Sequence, residues 1–128
     1  METEVSQVRQ ALYRGDRVAA EALVAAGAQL YVFDAAAIGD CYRLQELLDA
    51  DASLAHEWSA DGFTALHFAA YLGGAAPVRI LLDAGADPNA AQQGGYTPLD
   101  EALITKNEPL AALLRERGAH LSGNPLPG

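Results

Sequence analysis

The feature that most constrains this chain is a repeat with a period of 33 residues. "FTALHFAAYLGGAAPVRILLDAGA" is followed by "YTPLDEALITKNEPLAALLRERGA", and Thr97, Leu99, Ala102, Leu114 and Gly118 each lie 33 positions after Thr64, Leu66, Ala69, Leu81 and Gly85. A fixed period of this size means one supersecondary unit stacked on copies of itself, because a single unit cannot bury its apolar face alone. Upstream, "FDAAAIGDCYRLQELLDADA" carries the same skeleton, with Ala35, Ala36, Gly39, Leu47 and Leu48 placed 34 positions before Ala69, Ala70, Gly73, Leu81 and Leu82. The offset implies one extra residue, expected in the connection "SLAHEWSAD". Before that, "QALYRGDRVAAEALVAAGA" sets Gly15, Leu23, Val24 and Gly27 at the spacing of Gly73, Leu81, Leu82 and Gly85, with a shorter connection behind it.

Each unit reads as two short helices. Alanines fill the crowded positions of the first helix: Ala35 and Ala36, Ala69 and Ala70, Ala102. A turn follows at Gly15-Asp16, Gly39-Asp40, Gly73-Gly74 or Lys106-Asn107. Asp16, Asp40 and Asn107 are suited to cap the second helix, since a short oxygen side chain accepts from its orphan N–H groups. The second helix carries paired Leu or Val residues and ends at Gly27, Gly85 or Gly118, with Asp51 in that place in the second unit. Glycine there can take the left-handed conformation that closes a helix. Pro77 and Pro109 fall in first turns, where a missing N–H costs little. The 128 residues suffice for one domain, and 51% hydrophobic content excludes a disordered chain. The expected organisation is one all-α domain over 1–121, with units near 5–28, 33–52, 62–86 and 95–119. The breaker-rich tail 122–128 is expected to be disordered.

These residues resemble the ankyrin-repeat family. The period is that family's, "TALHFAA" is close to its T-P-L-H-x-A signature, and "GYTPLDEA" matches it apart from Asp100. Ala65 replaces the usual proline, the second unit lacks the signature, and the first lacks the finger-like hairpin after the helix pair. The resemblance implies an ankyrin-repeat solenoid of four helix pairs with short finger turns. The first and last pairs would act as caps, since a terminal repeat faces water on one side. It also implies a non-catalytic module that binds a partner protein through its concave face and fingers.

Composition narrows the partners. Net charge is −9, with only eight Lys and Arg residues and no run of them, so nucleic acid and anionic lipid are excluded as expected partners. The acidity suggests a basic partner. Cys41 is the single cysteine, which rules out an internal disulfide and fits a reducing, cytoplasmic setting. "METEVSQVRQ" has no apolar h-region, and no run of 18 apolar residues occurs, so neither a signal peptide nor a membrane span is expected.

One stretch, "DGFTALHFAAYLGG", suggests chemistry, with His67 as a base and Asp61 as its acid. The repeat explains His67 more simply, as part of the first-helix cap with Thr64, and the next copy carries Asp100 in its place. His56 and His120 match no zinc spacing, and Cys41 has no His or Lys beside it. No catalytic residue, metal or cofactor is expected. "RGD" at Arg14-Gly15-Asp16 recurs as Gly39-Asp40 and reads as a capped helix junction. The resemblance places partner contacts at finger tips and exposed first-helix ends. Carried over residue by residue, that gives Tyr13, Arg14, Ile38, Tyr71, Leu72, Ile104 and Thr105 on the helices, and Trp58, Asp61, Phe63 and Tyr96 on the fingers. Aromatic residues anchor interfaces because they bury much area at low entropic cost. The chain is expected to be monomeric. Two further readings stay open: a self-associating structural repeat, and a small-ligand binder using the concave groove.

Overall fold

A computed structural model describes residues 4–126. It contains four helix pairs: α1 (Gln7–Tyr13) with α2 (Arg17–Ala25), α3 (Val32–Ile38) with α4 (Cys41–Ala50), α5 (Ala65–Phe68) with α6 (Ala75–Asp83), and α7 (Pro98–Ile104) with α8 (Glu108–Glu116). A 3-10 turn at Ala52–His56 follows α4, and α5 runs on into a π-helical turn at Ala69–Gly73. Among the described residues the fold is all-α, with one isolated antiparallel bridge from Trp58 to Thr64 at the base of a finger.

The expected caps are present. Asp16, Asp40 and Asn107 accept from the backbone N–H three residues on, at 2.9, 3.0 and 3.2 Å. The core is one cluster that joins the buried second-helix residues Leu44, Val78, Leu81, Ala111 and Leu114 to first-helix alanines and to Leu66 and Leu99. Burying each such leucine contributes about 1.5–3 kcal/mol. The alanines and one glycine let neighbouring first helices approach. A Cβ on Gly73 would stand 2.0 Å from the Ala36 carbonyl oxygen, so only glycine fits there. Gly73 therefore keeps helical backbone, and the left-handed residue of that turn is Gly74, at φ 94°. In the fourth unit Lys106 takes the left-handed role, at φ 58°.

The caps account for the offset of 34 between the second and third units. Tyr31 and Thr64 start α3 and α5 and are 33 residues apart, whereas Gly39 and Gly73 at the ends of those segments are 34 apart. Two one-residue differences offset each other. The first helix α3 is shorter by one, and the span from Asp40, the cap of α4, to Thr64 is 24 residues against 23 from Gly74 to Thr97, so the extra residue does lie in α4 and the connection after it.

The fingers are tight hairpins. In one, Ser59 N–H donates to the Phe63 carbonyl at 2.7 Å; in the next, Gln92 N–H donates to the Tyr96 carbonyl at 2.8 Å. Gln93 N–H reaches the Gly62 carbonyl at 3.3 Å and ties the two fingers together. The segment after α8, expected to be poorly ordered, lies against the fourth unit over its described part. Ser122 N–H reaches the Asp100 carboxylate at 3.3 Å, Asn124 Nδ2 donates to the Gly95 carbonyl at 3.2 Å, and the Tyr96 hydroxyl donates to the Pro125 carbonyl at 2.9 Å. Residues 127 and 128 fall outside the described part.

Candidate functional site

The third residue of each first helix is polar and buried: Arg9, Asp34, His67 and Asp100. Three of them accept from the backbone N–H of the residue that starts the helix. Tyr31 N–H donates to Asp34 at 2.8 Å, Thr64 N–H to His67 Nδ1 at 3.2 Å, and Thr97 N–H to Asp100 at 2.8 Å. A buried N–H left without an acceptor would cost free energy, so this position demands an acceptor. The second unit thus performs with "YVFD" what the third and fourth perform with the signature. Counting 33 back from His67 reaches Asp34 and would have found it.

The same side chains link neighbouring units. His67 Nε2 donates to the Tyr96 carbonyl at 3.1 Å, and Asp100 receives Ser122 N–H. With Nδ1 accepting and Nε2 donating, the network assigns the neutral imidazole. Burial lowers the His67 pKa from 6.5 to about 4, against the raising influence of the Tyr96 and Ala90 backbone. Both nitrogens are committed to the scaffold, so the histidine has no nitrogen turned toward a reactant.

Arg9 cannot accept, and it is 0% exposed. Its NH1 donates to Asp34 Oδ1 at 2.9 Å, and its NH2 lies 3.7 Å from Asp61 Oδ1. Its guanidinium carbon sits 5.4 Å from the Phe33 ring centroid and 5.0 Å from that of Phe68. Ser6 Oγ also donates to Asp34, at 2.5 Å. A buried guanidinium is tolerable only with such partners. Asp61, expected as a contact residue, is partly occupied here. It also receives the Tyr13 hydroxyl at 2.6 Å. Burial first, and that hydrogen bond second, push the Tyr13 hydroxyl well above the ordinary tyrosine value.

Tyr13, Phe63, Tyr71, Leu72, Tyr96 and Ile104 line one cavity of about 330 Å³ that runs across the stack. Phe63 is half-buried and packs 5.4 Å from Phe68, ring to ring, whereas Tyr71 is 48% exposed. The cavity has four further lining residues that the sequence reading missed: His67, Phe68, Gln92 and Glu101. Phe68 and Glu101 are 33 residues apart and one helical turn before Tyr71-Leu72 and Ile104-Thr105, so helix period would have found them. Glu101 is buried and accepts from Gln92 Nε2 at 3.3 Å. Burial raises its pKa, the Gln92 hydrogen bond works against that, and the Asp100 charge adds to it.

The other expected contact residues lie elsewhere. Ile38 is 9% exposed rather than at an open helix end. Its helix α3 is an interior element packed by α1 on one side and by α5 and its π turn on the other. Arg17 from α2 closes over it, donating to its carbonyl at 2.6 Å. Arg14 is exposed beside Gln7 and Gln10 at the outer end of the first unit. Trp58 is 47% exposed on its finger, 6.3 Å from the His67 ring, outside the cavity lining. Thr105 is exposed, and its hydroxyl donates back to the Ala102 carbonyl at 3.0 Å. Among the described residues no three His, Cys, Asp or Glu side chains converge where a metal could sit, and no helix is long and apolar enough to cross a membrane.

Comparison with known proteins covers most of the stack. Residues 32–124 match a family described as ankyrin repeats in three copies. A putative ankyrin repeat protein of Neisseria meningitidis serogroup B is 37% identical over 78 residues, covering 61% of this chain and 30% of that protein. The serine/threonine-protein kinase VIK of Arabidopsis thaliana is 32% identical over 96 residues, covering 69% of this chain and 22% of the kinase. The probable E3 ubiquitin-protein ligase XBOS31 of Oryza sativa is 36% identical over 91 residues, covering 70% and 20% respectively. The chain therefore spans less than a third of the length of these relatives.

Proposed function

Because the chain belongs to the ankyrin-repeat family, whose repeats are generally non-catalytic protein-interaction modules, we propose that it binds a partner protein in the groove walled by Tyr13, Phe63, Tyr71, Leu72, Tyr96 and Ile104. One observation carries the reading: residues from the first, third and fourth units, far apart in sequence, line a single apolar cavity open to solvent. Large aromatic side chains held in a preformed concavity are the usual anchors of a protein interface. The net charge of −9 favours a partner, or a patch of one, that is basic. Arg14, Ile38, Trp58, Asp61 and Thr105 lie outside the cavity lining and carry no part of this reading.

The test uses the full chain and a Tyr71→Ala/Tyr96→Ala variant. Both are immobilised and exposed to extract of the native host, and captured proteins are identified by mass spectrometry. Unfolding midpoints are measured in parallel. A protein retained by the native chain and lost from an equally stable variant supports the groove. Equal recovery of every protein by both chains refutes it. Light scattering on the free chain tests the accompanying expectation that it acts as a monomer.

A further inference from the structure

Arg9 shows how this chain holds a guanidinium away from water. Two aromatic faces, Phe33 and Phe68, lie 5.4 and 5.0 Å from it, and two carboxylates, Asp34 and Asp61, lie 2.9 and 3.7 Å from its nitrogens. Phe68 is also a wall of the groove cavity. On that side the same kinds of group recur: the rings of Phe63, Tyr71 and Tyr96, and the buried carboxylate of Glu101. No Lys or Arg is among the lining residues.

We propose that this cavity receives an arginine side chain of the partner protein, its guanidinium against the tyrosine and phenylalanine rings and paired with Glu101. The proposal deepens the reading of the groove as a protein-binding surface and rests on it. Size limits the occupant. About 330 Å³ is at the low end of ligand-pocket volumes, enough for one long side chain and too little for a helix. Charge selects its sign, since the chain is acidic and Glu101 is the one acidic side chain in the lining. Chemistry selects arginine over lysine. A guanidinium is planar, weakly hydrated and stacks on rings, whereas an ammonium is compact and strongly hydrated. The apolar stem would lie along Leu72 and Ile104. Gln92 occupies part of Glu101 Oε1, and a carboxylate has acceptor capacity for the two parallel N–H groups of a guanidinium besides. A cation beside Glu101 favours its charged form and so opposes the effect of burial on it.

The experiment is an NMR titration of the full chain with N-acetyl-arginine methylamide and its lysine and leucine analogues. It reads the aromatic resonances of Tyr71, Tyr96 and Phe63. The arginine compound is expected to bind about tenfold more tightly than either analogue. Glu101→Gln, which keeps shape and the Gln92 contact, should weaken it about tenfold, and Asp83→Asn on the exposed surface should not change it. If Glu101→Gln fails to fold, Tyr71→Leu at a half-exposed position replaces it, with the same loss expected. Equal binding of leucine or lysine, no binding of arginine, or an unchanged affinity in the folded variant each overturns the proposal. The capture experiment is independent: a partner lost with Tyr71→Ala/Tyr96→Ala keeps the groove even when the arginine assignment fails.

Discussion

Replacing His67 by asparagine separates the scaffold reading of this histidine from any other by its effect on pH dependence. Asparagine keeps an acceptor for Thr64 N–H, as Asp100 does for Thr97 in the next unit. It loses the bond to the Tyr96 carbonyl, at a pH-independent cost of about 1 kcal/mol. It also removes the titration. In the folded chain burial holds the His67 pKa at about 4, against 6.5 when unfolded. A depressed folded pKa means that the unfolded chain takes up its proton first as pH falls. Stability is therefore full above 6.5 and is lost as pH drops through the window from 6.5 toward 4. Between about pH 7.5 and about pH 5 the linkage relation gives a loss of about 2 kcal/mol from this group. Glu101 acts with the opposite sign, since its raised pKa lets the folded chain take up a proton first. Both proteins contain it, so their difference isolates His67. The assay is urea unfolding followed by far-ultraviolet circular dichroism, with the slope checked for constancy between proteins. The native chain should lose about 2 kcal/mol more than His67→Asn over this range. Parallel pH profiles would refute the assignment of a buried neutral imidazole.

Asp34→Ala leaves the Arg9 guanidinium buried without its 2.9 Å partner, and should lower stability by about 3–5 kcal/mol in the same assay; a loss below about 1 kcal/mol would mean that Arg9 reaches water. Lys106→Gly relieves a left-handed backbone at φ 58° and should stabilise by about 0.5–1 kcal/mol, read as a higher urea midpoint, because glycine alone takes that conformation without a Cβ clash.

Much of the stack is legible in the chain. Period, caps and helix ends are local or repeated information, so Asp16, Asp40, Asn107, Gly27, Gly85 and Gly118 could be placed from spacing alone. Tyr71, Tyr96 and Phe63 come from the resemblance, which places contacts at finger tips and first-helix ends, and the structure sets all three in the lining of one cavity. Where copies depart from the pattern, spacing misleads. The second unit seemed to lack the signature because Asp34 performs the histidine's hydrogen bond in a helix one residue shorter. Ile38 resembles an open helix end until α1 and α5 are packed on either side of it.

By itself the sequence determined the unit, its number of copies and which side of each helix is apolar, because these follow from 33-residue and helical periodicity within a short stretch. The tertiary structure alone decided that Arg9 is buried against carboxylates 25 and 52 residues away, that Tyr13 and Ile104 share one cavity, and that the tail returns to Asp100. Those outcomes depend on the distance between units, which is set by how closely Gly73 and the alanines let neighbouring backbones approach. A period states what repeats; it does not state how far apart the repeats stand, and burial of a charge or closure of a groove turns on that distance.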